Sequence, residues 1–294
     1  MLVKAKHAKV RVPVDLSIDT EVVTKILTGF IADCLHKTAR KKAIIGLSGG
    51  LDSSVVTTLA VRAVGADRVL GVILPYKLVT RASREDAEKF ARYLGIKTEL
   101  IDITPMVDAY FERQPDTDAN RRGNMMARQR MSVLYDISAR EQGLVIGTSN
   151  KSELLLGYGT IFGDLACAVN PVGDLYKTQI RQLAESLEIP EYIRAKTPTA
   201  DLIVGQTDET DLGFSYAEVD QFLYLWVDQR QNESELLEST ALWEEYGFSS
   251  DFIKNVITRV RRNQFKRMPP TIAKISARTI DHEFRYPWEW STVH

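Results

Sequence analysis

Four short apolar runs alternate with longer segments of helical periodicity through the first half of the chain. The periodic segments repeat apolar residues every three or four positions, as amphipathic helices do, whereas the runs are short enough for buried strands. We predict strands over residues 41–47, 68–75, 97–104 and 144–149. Strands that alternate with helices form a parallel sheet, because each crossover helix returns the chain to the same end of the sheet. The sequence therefore predicts an α/β fold, a parallel β-sheet with helices on both faces.

Turn and cap residues set the expected boundaries of the helices in this half. Gly65 and Gly95 suit helix ends, because glycine adopts the left-handed conformation there without strain. Ser83, followed three residues later by Asp86, is close to a capping box and is predicted to open a helix. We predict helices over 15–40, 53–65, 83–95 and 124–143.

Helical periodicity dominates the rest of the chain, so extra C-terminal helices are expected. No internal repeat, low-complexity tract or linker rich in Pro and Ser interrupts the sequence. We therefore interpret residues 1–294 as one domain with a core at about 40–200 and a C-terminal helical part at about 215–294. Beyond about residue 171 we predict a helix over 174–187, a loop over 197–210 and two further helices within 216–267.

The composition excludes several classes of protein. The chain has 294 residues, 44% of them hydrophobic, and a net charge of −1, which gives no general attraction to nucleic acid. No apolar run approaches the length of about 20 residues that crosses a membrane, and the charged start lacks the apolar stretch of a signal peptide. Cys34 and Cys167 stand apart without metal-binding spacing and suit a reducing compartment. We expect a cytoplasmic protein that binds neither membranes nor nucleic acid.

The first predicted strand leads into residues 46–54, which read G-L-S-G-G-L-D-S-S. The first five letters match G-x-S-x-G, the turn that carries the nucleophilic serine of many hydrolases. Such enzymes also need a downstream histidine and an upstream oxyanion loop, but only His282 and His294 follow, and no H-G-G-G precedes. The stretch has neither the lysine of G-x-x-x-x-G-K-[ST] nor the spacing of G-x-G-x-x-G. These three interpretations of a glycine-rich turn are therefore disfavoured.

A strand, a tight glycine turn and a helix that begins with serines favour phosphate binding instead. Backbone N–H groups of such a turn, together with the positive end of a helix, attract anions. Gly49 and Gly50 let the main chain approach a phosphate closely, and the nearby serines add hydroxyl donors. The carboxylate of Asp52 would repel phosphates unless a divalent cation lay between them. Asp52 is therefore predicted to be a ligand of Mg²⁺.

The sequence S-G-G-L-D-S-S after a strand resembles the pyrophosphate loop of the N-type ATP pyrophosphatases. The resemblance implies their adenine nucleotide alpha hydrolase-like, Rossmann-like fold, with ATP as a co-substrate and Mg²⁺ as the cofactor. Members of that superfamily cleave ATP between the α and β phosphates and adenylate an oxygen of a second substrate. The residues that would contact ATP in this loop are Gly46, Leu47, Ser48, Gly49, Gly50, Leu51, Asp52, Ser53 and Ser54.

Further stretches are similar to the NAD synthetase family of that superfamily, and together they cover most of the chain. They read G-N-M-M-A-R-Q-R-M (123–131), V-I-G-T-S-N-K-S-E (145–153), P-V-G-D-L-Y-K-T-Q-I-R (171–181), K-T-P-T-A-D-L (196–202), G-Q-T-D-E-T-D-L-G (205–213) and F-K-R-M-P-P (265–270). The resemblance implies that Thr148, Lys177 and Thr199 also contact ATP. It places Glu153 beside Asp52 at the metal and makes Asp52 and Lys177 the catalytic residues. The residues implied to contact the second substrate, deamido-NAD, are Arg128, Asp164, Phe265 and Lys266.

The resemblance implies ATP-dependent amidation of deamido-NAD with ammonia through a nicotinate acyl-adenylate, which releases AMP and pyrophosphate. It also implies a homodimer with the dinucleotide site at the subunit interface. Three positions depart from the ammonia-dependent pattern: Ile161 replaces a lysine, Ala168 an aspartate and Phe265 a histidine. All three are associated with the dinucleotide, so ATP activation is better supported than the acceptor. The wording around Ile161 also resembles the synthetase half of glutamine-dependent enzymes, although the chain has no room for their glutaminase domain.

Three functional alternatives stay open at this point. The first is an NAD-forming ligase, supplied with free ammonia or by a separate glutaminase subunit. The second is another adenylating amidotransferase or thiolase with a different acceptor, and the third is a nucleotide sensor without turnover. A cluster of cations near the predicted last helix also has two interpretations, a solvated helical face or a phosphate-binding edge. Its members are Lys254, Arg259, Arg261, Arg262, Lys266 and Arg267.

Overall fold

A four-stranded parallel sheet forms the centre of the structure. The structure is a computed structural model that describes residues 14–77, 81–199, 207–238, 246–268 and 270–277. The strands are β1 Lys42–Gly46, β2 Val69–Ile73, β3 Lys97–Leu100 and β4 Gly143–Val145. The predicted strands are confirmed, each shortened to the residues whose backbone pairs with a neighbouring strand.

The order of the strands across the sheet, β3-β2-β1-β4, creates a crevice beside β1. The chain runs from β1 outward to β2 and β3, and then crosses back to place β4 on the other side of β1. The loops that follow β1 and β4 therefore leave the sheet in opposite directions. In α/β proteins such a switch point, at the carboxyl ends of the strands, is where ligands bind. The predicted phosphate loop, residues 46–54, follows β1 at this point.

Helices connect the strands and then continue to the C-terminal part. Local caps explain several starts, since the side chain of Asp19 accepts from the N–H groups of Glu21 and Val22, and Asp118 from that of Arg121. The helices of the first half are α1 Thr20–Lys37, α2 Leu51–Val64, α3 Arg81–Leu94, α4 Thr104–Phe111 and α5 Ala119–Arg140. Those that follow are α6 Lys151–Leu156, α7 Lys177–Ser186, α8 Glu191–Arg194, α9 Asp208–Leu212, α10 Tyr216–Leu223, α11 Glu233–Glu238 and α12 Ser250–Arg262. A π-helical turn, Tyr224–Asp228, continues α10, and 3-10 turns span Ala66–Arg68 and Gln264–Arg267.

Apolar cores lie on both faces of the sheet, as predicted. Successive side chains of a strand point to opposite faces. Ile45 of β1 therefore packs with residues of α1, α2, α3 and α7, whereas its neighbour Ile44 packs with residues of α4 and α5. A third core joins α10 and α12 to Leu156 of α6 and to Tyr176, the residue before α7. The C-terminal helices are thus packed directly on the two helices that carry Glu153 and Lys177.

Two expectations about helices are wrong, and two are confirmed. Gly65 and Gly95 close α2 and α3 with positive φ values of 84° and 69°. Ser83, however, does not open α3, because this helix begins at Arg81 and Ser83 lies within its first turn. Within 216–267 the described residues form three helices rather than two, because polar segments at 229–232 and around Ser249 break the periodic pattern. No helix in the described ranges has the length and apolar character needed to cross a membrane.

Candidate active site

The turn between β1 and α2 presents backbone donors to the crevice. Gly50 is the N-cap of α2, and no side chain caps the N–H groups of the first helical turn. Leu47, 2% exposed, anchors the turn in the apolar core, and Leu51 packs against the same core. Free N–H groups at the start of a helix, with the positive end of its dipole, make an anion-binding site. The local geometry therefore fits the predicted phosphate loop.

The hydroxyl groups of this loop have different roles. Ser48 is exposed, with its Oγ 3.1 Å from the Oγ of Ser53 and 3.2 Å from the N atom of Gly50. The hydroxyl of Ser54 is buried and donates to the carbonyl oxygen of Gly50 at 2.8 Å. The hydroxyl of Ser48 thus bonds within the loop at an exposed position, whereas that of Ser54 stabilises the first turn of α2. In the described part of the chain the one histidine is His36, at the end of α1, and both histidines that the hydrolase alternative needs lie outside the described residues.

Gly49 is required by packing as much as by access to phosphate. Its φ is +77°, and a Cβ atom there would lie 2.4 Å from the carbonyl oxygen of Ser83 in α3. The carbonyl oxygen of Gly49 also accepts a hydrogen bond of 3.1 Å from Lys196, whose Nζ forms an ion pair of 2.5 Å with Asp86 of α3. Lys196 therefore brings a positive charge to the loop. Lys196 opens the quoted stretch 196–202, but no local pattern distinguishes it from other lysines.

A lysine and two carboxylates meet beside the loop, and we call Asp52, Glu153 and Lys177 the shared-cation cluster. The Nζ atom of Lys177 lies 2.5 Å from Oδ2 of Asp52 and 3.3 Å from Oε1 of Glu153. The side chain of Lys177 is only 3% exposed, and those of Asp52 and Glu153 are 17% and 15% exposed. The three predicted residues are therefore brought together, with one ammonium shared by both carboxylates.

Helix starts fix the members of this cluster. Asn150 is the N-cap of α6 and forms a capping box with Glu153, in which each side chain bonds to the backbone N–H of the other. The Nδ2 atom of Asn150 also donates to Oδ1 of Asp52 at 2.9 Å. Asn150 thus links the metal candidates, and sequence reasoning missed it. The signal that could have found it is the pattern N-x-x-E before an apolar run.

For Glu153 and Lys177, burial and the attraction of nearby opposite charges act on the pKa in opposite directions. Burial raises the pKa of Glu153, and the adjacent ammonium of Lys177 opposes that rise. Burial lowers the pKa of Lys177, but Asp52 and Glu153 outweigh this effect, so its pKa lies above the usual value. Lys177 is therefore held as a cation.

The donor set of the cluster fits magnesium. Mg²⁺ is commonly bound by one or two carboxylates, with phosphate oxygens and water completing its coordination. Asp52 and Glu153 are close enough to share the ammonium of Lys177. The same spacing would let both carboxylates bind one Mg²⁺ ion. Among the described residues no group of three or more His, Cys, Asp or Glu side chains could hold a metal ion. The remaining ligands would therefore come from a nucleotide and water.

A second polar group lies behind Lys177, on the C-terminal helices. Asp208, 4% exposed, accepts hydrogen bonds from the hydroxyls of Tyr158 at 3.1 Å and Tyr216 at 3.2 Å. The ring of Tyr216 lies 5.4 Å from Nζ of Lys177. Burial raises the pKa of Asp208, and the positive charge of Lys177 opposes this. Asp208 belongs to the stretch 205–213 that was quoted from the sequence. Its proximity to Lys177, however, is visible only in the structure.

The predicted deamido-NAD residues converge on a different segment, and we call residues 157–168 with Arg128, Tyr135 and Lys266 the acceptor cleft. Arg128 donates to the carbonyl oxygen of Ile161 at 3.3 Å, and Asp164 accepts from the N atom of Thr160 at 2.9 Å. Lys266 donates to the carbonyl oxygens of Gly157 and Gly159 at 2.7 and 2.8 Å. A cavity of about 230 Å³ lies here, lined among others by Tyr135, Ile161, Phe162, Leu165, Lys266 and Met268.

The departures from the family pattern make this cleft more apolar. Phe162 and Phe265 are 59% and 58% exposed, and Ile161 lines the cavity directly. Ala168 lies exposed beside β4, where its N–H donates to the carbonyl oxygen of Val145. Apolar side chains therefore occupy the positions where the family pattern has a lysine, an aspartate and a histidine.

Three of the clustered cations cap α6, an interpretation the sequence did not offer. Arg267 donates to the carbonyl oxygens of Leu154 and Leu155, Arg259 to that of Leu156, and Lys266 to that of Gly157. Cations at these carbonyls offset the negative end of the helix. Lys254, Arg261 and Arg262 are exposed, which agrees with the solvated-face alternative for them. Because α6 has six residues and spans about 9 Å, it connects the shared-cation cluster to the acceptor cleft.

Two predicted ATP residues lie near the loop segments that frame the crevice. Thr148 is half-buried just beyond β4, and Ile146, two residues before it, pairs with Val169 as an isolated parallel bridge. Thr199 is exposed and stands at the end of a described range. Residues 200–206, part of the loop that would cover the site, lie outside the described residues. The contacts of both threonines with ATP stay predictions.

The glycine turn at a topological switch point and the adjacent shared-cation cluster define a nucleotide-binding α/β protein with a loop of the ATP pyrophosphatase type. Comparison with known protein families identifies the family within that class. The chain belongs to the NAD synthase family, whose model matches residues 23–270. The resemblance stated from the sequence is thereby confirmed.

Individual relatives agree with this assignment. An NH(3)-dependent NAD(+) synthetase of Chlorobium phaeobacteroides is 51% identical over 279 residues, which cover 95% of this chain and 98% of that relative. An NMN synthetase structure from Francisella tularensis is similar with a TM-score of 0.77 and 30% identity, covering 88% of this chain and 100% of that one. An NH3-dependent NAD synthetase structure from Campylobacter jejuni has a TM-score of 0.73 and 34% identity, with the same coverage.

Proposed function

We propose that this protein is a carbon–nitrogen ligase that amidates deamido-NAD to NAD with ammonia and ATP, releasing AMP and pyrophosphate. The observation that carries the proposal is the shared-cation cluster at the end of β1, beside a helix start that has no side-chain cap. Relatives named NH(3)-dependent NAD(+) synthetases, about half identical over nearly the whole chain, support the reaction.

The first half-reaction is the adenylation of the acceptor. The N–H groups of the 46–54 loop and Ser48 bind phosphate oxygens, and Asp52 and Glu153 would hold Mg²⁺. When bound, magnesium supplies charge neutralisation to the triphosphate and orients it. The nicotinate carboxylate attacks the α-phosphorus in line and forms the acyl-adenylate, and the bond to pyrophosphate breaks. Lys177 has three N–H donors, of which two face carboxylates, so one remains for the departing phosphates.

In the second half-reaction ammonia attacks the acyl carbon and AMP leaves with the electron pair of the acyl–oxygen bond. The protein needs no covalent nucleophile for either step. Positioning of the reactants and cancellation of charge account for the catalysis. The acceptor cleft is the site proposed for the nicotinate end, because Lys266 lines its cavity and Arg128 and Asp164 bond to the segment that contains the cavity residues Ile161 and Phe162.

Nicotinate mononucleotide is a second candidate acceptor. The structural neighbour with a TM-score of 0.77 is named NMN synthetase. The apolar residues at Ile161, Ala168 and Phe265 replace side chains that the family pattern associates with the dinucleotide. An acceptor without the adenylate half would lose fewer contacts from these replacements than deamido-NAD does.

One experiment separates the candidate functions. The purified protein is incubated with ATP, magnesium and ammonium, together with deamido-NAD, nicotinate mononucleotide or no acceptor, and the products are identified by mass spectrometry. AMP and NAD with deamido-NAD support the proposal, whereas a preference for the mononucleotide supports the second candidate. ATP binding without AMP formation under any condition indicates a sensor or a different acceptor.

We also propose that the protein works in the cytoplasm as a homodimer that uses free ammonia or ammonia from a separate glutaminase. Both cysteines are free, which suits a reducing compartment. Light scattering gives the oligomeric state. Turnover with glutamine as the only nitrogen source, in the absence of another protein, contradicts this proposal.

Replacing Ser48 by alanine tests the hydrolase alternative. Loss of one hydrogen bond to a charged phosphate should weaken ATP turnover by about tenfold without abolishing it. Complete loss of activity in S48A, with covalent labelling of the wild-type serine by a fluorophosphonate, would instead identify a nucleophile.

A further inference from the structure

We propose that two carboxylates of the C-terminal helices, Asp220 and Asp228, are positioning residues for the shared-cation cluster. Neither faces the crevice as a predicted ligand, and each instead bonds to the first turn of α6 and to the start of α7. These two helix starts carry Glu153 and Lys177. The inference rests on the proposed function, because it concerns the same magnesium–ATP site.

Asp220 bridges the helix starts from the inside of the protein. Its side chain is fully buried, and Oδ1 accepts a hydrogen bond of 2.5 Å from Ser152, the second residue of α6. Oδ2 accepts a hydrogen bond of 2.9 Å from the N–H of Thr178, the second residue of α7. The Oγ atom of Ser152 in turn accepts from the N–H of Lys177 at 2.9 Å. Asp220 is thus bonded one residue away from Glu153 and one residue away from Lys177.

Asp228 repeats this arrangement eight residues later. Its Oδ1 forms an ion pair of 2.7 Å with Lys151, the first residue of α6, and Oδ2 accepts a hydrogen bond from the hydroxyl of Tyr176, the N-cap of α7. In a regular α-helix residues eight apart point about 80° apart around the axis. The wider π-helical turn at Tyr224–Asp228 takes up part of that rotation, which lets both carboxylates reach the same pair of helices.

The two helices need such a link, because residues 157–176 separate them in sequence. A buried carboxylate is costly unless it is fully hydrogen-bonded, and at a helix start it also meets the positive end of the dipole. Burial raises the pKa of Asp220 to about 6, and the bonds from Ser152 and Thr178 oppose that rise. The buried Asp220 should therefore matter more than Asp228, whose side chain is 31% exposed.

The test compares Asp220→Asn and Asp228→Asn with the control Val219→Ala. Asparagine keeps the shape of aspartate but turns an NH₂ group toward the donors of α6 or α7. Val219 is fully buried on the same helix and has no polar side chain, so its truncation reports destabilisation alone. The probe is magnesium with α,β-methylene-ATP, which cannot be cleaved between the α and β phosphates, and its affinity is measured by calorimetry. Hydrogen exchange of peptides covering 175–182 gives a readout independent of turnover.

The dissociation constant of the probe should rise about tenfold in D220N and about threefold in D228N. In V219A it should stay within about twofold despite a lower Tm. Exchange at the start of α7 should become faster in D220N and D228N but not in V219A. With active enzyme, the magnesium activation constant should rise in D220N while the KM for ammonium stays constant, whereas partial unfolding would lower kcat alone.

A folded D220N with wild-type affinity for the probe and unchanged exchange overturns the proposal. If D220N does not fold, Ser152→Ala removes the bond between Asp220 and α6, and Tyr176→Phe removes the bond between Asp228 and the start of α7. Wild-type affinity for the probe in both variants overturns the proposal. Wild-type protein that forms no AMP refutes the proposed function, while the binding and exchange data still decide the role of Asp220 and Asp228.

Discussion

The shared-cation cluster and the acceptor cleft lie at opposite ends of α6, yet they are built differently. In the cluster the charged groups bond to one another, with the Lys177 ammonium between Asp52 and Glu153 and all three largely buried. In the cleft the cations bond to backbone carbonyl oxygens of residues 157–161, and aromatic side chains face solvent.

This difference agrees with the parts of the proposed reaction that the two regions are assigned. A buried cation close to two carboxylates offsets their repulsion of phosphates, so the geometry of the cluster suits the proposed binding of ATP. In the cleft the cations hold the shape of the backbone, and the exposed rings present an apolar surface. Changes in the cluster should therefore alter ATP chemistry and stability, whereas changes in the cleft should alter the choice of acceptor.

Replacing Asp52 by asparagine should have the largest effect on activity. The variant keeps the hydrogen-bonding shape of the side chain but loses the negative charge that binds a cation, so AMP formation should fall by about 1000-fold. The rate of AMP formation at saturating ATP measures the effect. Asp67→Asn, at an exposed carboxylate in the turn before β2, is the matched control and should be neutral. Near-normal activity of folded D52N removes Asp52 from the metal site.

Replacing Lys177 by methionine should show that the cluster is a buried ionic unit. Without the ammonium the two carboxylates repel each other, and the free energy of unfolding should fall by about 3–5 kcal/mol in the absence of magnesium. Adding magnesium should recover part of this loss in K177M and change the wild type much less, because a cation already bridges the wild-type carboxylates.

Urea denaturation with and without magnesium measures this effect. Lys42→Met is the control, since Lys42 pairs with Glu141 at a partly exposed position and its loss should cost at most about 1 kcal/mol. A K177M variant as stable as the wild type, or one that magnesium does not stabilise, contradicts the shared-cation interpretation.

The sequence predicted the sheet and Asp52 from local signals, namely strand periodicity, glycine caps and the run S-G-G-L-D-S-S. Glu153 and Lys177 were predicted only through the resemblance to the NAD synthetase family, and the structure brings both beside Asp52. Asp220, Asp228 and Lys196 carry no such signal, because their partners lie far away in sequence. The cations that cap α6 were misinterpreted for that reason too: their acceptors are main-chain carbonyls about a hundred residues away.

Substitutions of the two neighbouring glycines of the phosphate loop should have different effects, one on packing and the other on access of the ligand. Gly49→Ala places a Cβ atom against the backbone of α3 at a positive φ and should lower the free energy of unfolding by about 1–3 kcal/mol. Gly50→Ala meets only the flexible hydroxyl of Ser48, at 3.2 Å, and should cost less than about 1 kcal/mol. Its Cβ atom instead crowds the N-cap where phosphate would bind, so the KM for ATP should rise. If G49A raises the KM for ATP without loss of stability, the packing role assigned to Gly49 is wrong.

Replacing Phe265 by histidine, the residue of the family pattern, should have the smallest effect and the most selective one. Phe265 is 58% exposed, so stability should stay within about 0.5 kcal/mol of the wild type. A ring with hydrogen-bonding nitrogens beside Lys266, which lines the cavity of the cleft, should change the KM for deamido-NAD by about threefold, as one exposed polar contact does. The KM for ATP should not change, because Phe265 lies beyond the end of α6 that is far from the cluster.

Steady-state kinetics with each substrate varied in turn test this separation, and Phe162→Ala in the same assay shows whether the response belongs to the cleft as a whole. An equal shift in both KM values would mean that α6 transmits changes between its ends, and the two regions would then have to be treated as one site.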